Sequence, residues 1–308
     1  MLLREIAGFR TNDKFTTIHP TQPDLPTLKI AKSIESYDDL QFWLASHYPD
    51  LDQVEAEDTR ATLLADEQLG STPEERANRL RLAKRVSWAL NTLGSVVAAW
   101  LFIRPQPYSY AIAAGIIAPL LAAGALFAFP RLMRLEAGKN SPHASISLAV
   151  LLPSFGLLIR ALVDSEPIFY ASAWPVVGGV AAAFGLLLAA GSQHSLLEHG
   201  TLRRGSGNEW LLLLMCAVAY GYGAALTANT AFDEKAPTLY QVQVLNKHMT
   251  HGKTTTYYLQ ITPWGPHATS EDVTVSSDYY EHMMPGDSAT VATRPGRLGI
   301  AWFEMLEQ

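Results

Sequence analysis

Residues 86–129 read VSWALNTLGSVVAAWLFI, then RPQP, then YSYAIAAGIIAPLLAAGALFAF. Each apolar run approaches the ~20 residues that carry a helix across ~30 Å of hydrocarbon. The break between them, Arg104-Pro105-Gln106-Pro107, has room only for a tight turn, so the stretch reads as a helical hairpin. Three further runs follow, Ala144–Val163, Phe169–Ala190 and Trp210–Ala228, the last diluted by Tyr220, Tyr222 and Thr227. A single run would suit a buried helix of a soluble protein. Five in succession, almost free of charge, predict a five-helix transmembrane bundle.

Composition agrees once it is resolved along the chain. Of 308 residues, 48% are hydrophobic and 17% charged, against roughly 25% charged in a soluble domain. The mean hydropathy of +0.07 averages apolar spans with two ordinary soluble ends. A net charge of −6 argues against a nucleic-acid binder, which needs a basic face for phosphates. Cys216 is the lone cysteine, which excludes an intramolecular disulfide framework and a Cys-rich metal site. The opening MLLREIAGFR carries Arg4, Glu5 and Arg10 and lacks the apolar core of a cleavable signal peptide.

Basic residues near the span ends set the expected orientation, because Lys and Arg are retained on the cytoplasmic side. Arg76, Arg79, Arg81, Lys84 and Arg85 precede the first span; Arg131, Arg134 and Lys139 lie between the second and third; Arg203 and Arg204 lie between the fourth and fifth. With five spans these segments share one face. The opposite short loops offer only Arg104, and Asp164–Tyr170 has two acids and no base. The expectation is a bacterial inner-membrane protein with a cytoplasmic amino terminus and a periplasmic carboxyl terminus.

Four regions are expected. Residues 1–50 form a small α+β segment: short strands at Arg4–Phe9, Phe15–Ile18 and Leu28–Ile30 lie among prolines, and a helix capped by Ser36 runs to His47. Residues 51–85 read as an acidic linker followed by a basic juxtamembrane helix. Thr72 and Glu75 form a capping box around Pro73, and that helix should run on into the first span. Residues 86–230 are the bundle. Residues 231–308 form an all-β domain, a small antiparallel barrel or meander, with strands near Tyr240–Val244, Thr255–Ile261, Val273–Val275, Ser288–Val291 and Gly299–Phe303, the first two joined as a hairpin at His251-Gly252.

Chemistry is sparse. His248, His251, His267 and His282 are of the residue types that bind zinc or copper, and a periplasmic metal site is the alternative to solvated loop histidines. Their spacing matches no metal motif, nor does that of His194 and His199. Arg160 is the one ionisable side chain inside a span; it lies within a turn of the third span's outer end, where it is expected to snorkel to the interface and pair with Asp164. Ser154 lacks an intramembrane histidine partner, and no phosphate loop or nucleophile elbow is present. No catalytic residue and no cofactor are assigned. Arg76, Arg79, Arg81, Lys84 and Arg85 are expected at the lipid headgroups. Small residues spaced by four, Gly178 with Ala182, Gly179 with Ala183, and Ala111, Ala114, Gly115 and Ala118, allow close packing within the chain or a homodimer.

Leu28–Leu44 (LKIAKSIESYDDLQFWL) resembles the last strand and closing helix of bacterial pleckstrin-homology-like domains at the amino terminus of membrane proteins. Tyr240–Trp302, with Tyr279, Tyr280, Gly286-Asp287 and Leu298–Trp302, resembles the β modules of uncharacterised bacterial multi-span inner-membrane proteins. These resemblances imply an architecture and no catalytic residues. The expected role is non-enzymatic: binding, scaffolding, sensing or immunity, with the bilayer and an unidentified protein as partners.

Overall fold

A computed structural model describes residues 3–22, 24–138, 140–198, 201–202, 207–252 and 255–307. The chain divides into two compact units, Met1–Ser87 with Arg131–Ser145, and Trp88–Pro130 with Ile146–Gln308.

The first unit begins with an antiparallel sheet of β1 (Ile6–Thr11), β2 (Phe15–Pro20) and β3 (Leu28–Ala31). Asn12 shapes the first hairpin, its Oδ1 accepting from the N–H groups of Lys14 and Phe15 at 2.9 and 2.7 Å. Helix α1 (Tyr37–His47) buries Leu44 against Phe9 and Ile18. Ser36 precedes it as expected but makes no side-chain cap and sits at φ 57°. The helix start is held instead by the Tyr37 hydroxyl, 2.6 Å from Thr16 Oγ1.

The acidic run read as a linker is helical, α2 (Leu51–Ala65). Two features offset its charge repulsion. Asp50 Oδ1 accepts from Asp52 N–H at 2.9 Å, and Arg10 on β1 pairs with Asp52 and Glu55 at 2.8 Å each. Helix α3 (Pro73–Ile103) then starts on the expected reciprocal cap: Glu75 N–H donates to Thr72 Oγ1 (3.2 Å), while the Glu75 carboxylate accepts from Ser71 N–H (2.8 Å) and Thr72 N–H (3.4 Å). It runs unbroken for 31 residues, about 46 Å.

After α4 (Tyr108–Ala128) the chain re-enters the first unit. There β4 (Met133–Arg134) and β5 (Ala144–Ser145) pair in parallel, and Arg131 binds Asp66 at 2.8 Å. The hydrogen-bonded guanidinium holds the Asp66 carboxyl below the usual range. Because Ala144–Ser145 are taken by this pairing, the third span begins at Ser147 and not at Ala144.

The second unit contains α5 (Ser147–Asp164), β6 (Glu166–Pro167), α6 (Tyr170–Gly191), the turn of α7 (Gln193–Leu196), the pair β7 (Leu197–Glu198) and β8 (Thr201–Leu202), and α8 (Gly207–Ala231). Helices α3, α4, α5, α6 and α8 are each long and apolar enough to cross a membrane. Helix α8 lies against α4, α5 and α6, which explains its composition. Tyr220 donates to Ile116 O (3.1 Å) and Thr227 to Gly223 O (2.7 Å), so the hydroxyls of these two diluting residues are satisfied inside protein. At Gly223 a Cβ would lie 2.5 Å from Leu158 N, an approach open only to glycine. Leu186, Val96 and Leu214 point away from the bundle, 71%, 60% and 60% exposed, as side chains facing lipid must.

The carboxyl-terminal part is a half-barrel sheet: β9 (Thr238–His251), β10 (Thr255–Ile261), β11 (Glu271–Val275), β12 (Ser288–Arg294) and β13 (Trp302–Leu306), with a short helix α9 (Ser277–His282) after β11. The strand order is β11-β10-β9-β12-β13-β6, antiparallel throughout. Long β9 pairs with β12 through its first half and with β10 through its second. Alternate residues Val242, Val244, Leu259, Ile261, Val273 and Val291 fill one face, where Tyr279, Tyr280 and Met283 cover them.

Candidate functional site

The most elaborate polar construction in the second unit lies where the β module meets the ends of α5, α6 and α8. It begins with Asn229, in the last turns of α8 and 1% exposed. Its Oδ1 accepts from the N–H groups of Leu298 (2.9 Å) and Ile300 (3.4 Å), its Nδ2 donates to Ile300 O (2.8 Å), and its own carbonyl accepts from Arg297 N–H (3.0 Å). The loop before β13 is thereby clamped to the helix. Gly296, at φ 76°, lies so close to Asn229 that a side chain there would collide with it. Ile300 follows into an apolar cluster with Ala161, Ala173, Val177, Ala225 and Leu226.

Asp233 makes the second attachment, accepting from Gly296 N–H (2.8 Å), Trp302 Nε1 (3.2 Å) and Lys235 N–H (3.2 Å). Burial works against its charge, but these donors outweigh it and hold the carboxyl below the usual range. The third attachment is backbone: the α5–α6 connection supplies β6, with Glu166 opposite Phe303 and Pro167 opposite Trp302, and Ile168 N–H donates to Ala301 O at 2.9 Å.

Beside β6 stands an imidazole held on both faces. His267 stacks on Trp264 (ring centroids 4.8 Å apart, planes 15°) and on Phe169 at the start of α6 (5.8 Å, 2°). Its Nδ1 is 2.8 Å from Glu271 Oε2, and Trp264 Nε1 donates to Glu271 Oε1 at 2.7 Å. Its Nε2 is buried with no hydrogen-bond partner. Burial pushes the Glu166 carboxyl above the usual range, and the charge of Glu271 pushes it the same way.

The other histidines named from sequence are dispersed. His248 Nε2 lies 3.9 Å from Asp272 and the ring stacks on Tyr258; His251 Nδ1 is 3.4 Å from Thr255 Oγ1, and His282 Nδ1 is 2.6 Å from Asp278 O. Among the described residues no three His, Cys, Asp or Glu side chains are grouped to hold a metal ion. His194 lies in α7; His199, Lys139, Arg203 and Arg204 lie outside the described residues. Arg160 does meet Asp164, at 3.4 Å, and Tyr108 donates to the same carboxylate at 3.0 Å. Ser154 donates to Val150 O (2.6 Å).

On α3, Arg79, Arg81, Lys84 and Arg85 are exposed. Arg76 turns inward and donates to Gly70 O and Leu64 O, each at 2.8 Å. The first unit also carries an open cleft of about 400 Å³ floored by Phe9, Tyr48 and Val54, whose described lining has acids at Asp50 and Glu57 but no basic side chain, histidine or cysteine.

Comparison of the chain with protein-family models, with curated proteins and with solved structures finds no match.

Proposed function

We propose that this protein is a non-enzymatic binding protein of the bacterial inner membrane, with a cytoplasmic amino-terminal unit and a periplasmic β module that engages another protein. The observation that carries this reading is the triple attachment of the β module through Asn229, Asp233 and β6. A module only tethered to the membrane would need a linker and nothing more. Here strand pairing and buried hydrogen bonds join it to α5, α6 and α8, so a load or ligand on the sheet acts directly on three spans. The α4–α5 connection, by contrast, folds with the amino-terminal unit. The basic loops support the cytoplasmic assignment.

Strand β11 presents the side chains of Asp272 and Thr274 to the outside, where a partner can reach them. The test is a photo-crosslinking residue at Asp272 or Thr274 in living cells, with lipid-facing Leu186 as control. The proposal expects a discrete protein adduct from the β11 positions. Absence of any adduct from both would overturn it.

A further inference from the structure

The order β11-β10-β9-β12-β13-β6 leaves β11 and β6 as the two edges of an open half-barrel, and the sheet curls until these edges approach. At one end the gap is already spanned: the Glu307 carboxylate, beyond β13, accepts from the N–H and Oγ of Ser276, just beyond β11 (2.8 and 2.5 Å). At the other end stands the His267 cluster. Glu271 is the first residue of β11 and Glu166 the first of β6, and Phe303, opposite Glu166, packs its ring on Trp264 and His267 (5.1 and 6.1 Å).

We propose that His267 is a proton-operated latch between the two edge strands: on protonation its imidazolium bridges Glu271 through Nδ1 and Glu166 through Nε2, closing the half-barrel against the α5–α6 connection.

The loop that carries His267 contributes Trp264 and α6 contributes Phe169, both uncharged stacking partners. Strand β9 contributes Tyr240, which packs on Trp264 at 5.7 Å. Strand β13 contributes Phe303. The charged neighbours are Glu271 and Glu166, and among the described residues neither is ion-paired with a lysine or arginine. A neutral imidazole donates from Nδ1 to Glu271 and leaves a buried Nε2 lone pair without a donor, while two carboxylates share a half-buried pocket without a cation. One proton answers both deficits. It gives Nε2 a hydrogen to donate and places a positive charge between the acids. The stacked rings hold the imidazole beside Phe303, whose strand partner is Glu166, so the bridge is made from the Glu166 side chain.

The full-length protein in nanodiscs tests this by amide hydrogen exchange, read as protection factors so that intrinsic pH effects cancel. Between pH 8 and pH 5.5 protection over residues 166–168 and 267–275 is expected to rise about tenfold, as one charge-assisted hydrogen bond implies. His267→Gln should remove the rise, and so should Glu166→Gln, which sits on an edge strand and leaves the stack intact. Nitrogen NMR of labelled histidine should show Nε2 of His267 taking its proton with the same midpoint. Protection in the native protein that ignores pH overturns the latch. A rise that survives Glu166→Gln overturns it equally.

Discussion

Replacing Asn229 with alanine tests the clamp between α8 and the β module. The substitution removes three side-chain hydrogen bonds and strands the N–H of Leu298 and both backbone groups of Ile300 in a buried site. Each group left unsatisfied costs about 1–3 kcal/mol, but partial entry of water at the loop offsets some of it, so the loss should be roughly 2–4 kcal/mol. That corresponds to a ~25- to 700-fold shift in the equilibrium between docked and released loop. The assay is hydrogen exchange over residues 296–303 in nanodiscs, paired with reversible denaturation of the same samples. Asn229→Asp should fall between, keeping the acceptor but losing the donor to Ile300 O. A change under about 0.5 kcal/mol for Asn229→Ala, the size of an ordinary surface substitution, would refute the reasoning and make the contact incidental.

Other expectations concern the remaining joints. Gly223→Ala should destabilise the bundle by about 1–3 kcal/mol, because its Cβ meets the α5 backbone, whereas Gly179→Leu should leave the fold intact, since nothing lies within 4 Å of a Cβ there. If the outward Gly178/Gly179 face of α6 mediates a homodimer, Gly179→Leu should convert dimer to monomer in single-molecule photobleaching; unchanged stoichiometry excludes that interface. Asp66 titrates below the usual carboxylate range while bound to Arg131, so this attachment is complete at neutral pH and is lost as pH falls through the depressed pKa. Exchange over residues 131–138 should accelerate in acid, and Arg131→Gln should abolish that acid-dependent part. Changing Arg79, Arg81, Lys84 and Arg85 together to glutamine should weaken retention of anionic lipid in native mass spectrometry by roughly 3–4 kcal/mol, about 1 kcal/mol per charge.

What the sequence made legible follows from the range of the forces involved. The spans and the half-barrel strands are local patterns: apolar runs of membrane length and period-two alternation along Tyr240–Val244. The Thr72–Glu75 cap is local too. Helix α2 was hidden because the cation that balances its acids, Arg10, comes from β1. Strand β6 was hidden because two residues between spans carry no strand signal and owe their pairing to β13. Asn229 falls at the polar end of an apolar helix, and nothing nearby announces three partners in the loop before β13. His267 was visible as a histidine, but its stacking partners Phe169 and Phe303 belong to α6 and β13, which only the folded chain brings to it.

The central claim, two soluble parts on opposite faces of a five-span bundle, is tested most directly by cysteine accessibility. Cys216 is buried, and its replacement by serine leaves a cysteine-free background. In intact cells with a permeabilised outer membrane, an impermeant maleimide should label Thr274→Cys in the β module and spare Glu57→Cys in the amino-terminal unit until the inner membrane is opened. Labelling of Glu57→Cys in sealed cells, or protection of Thr274→Cys there, would contradict the account.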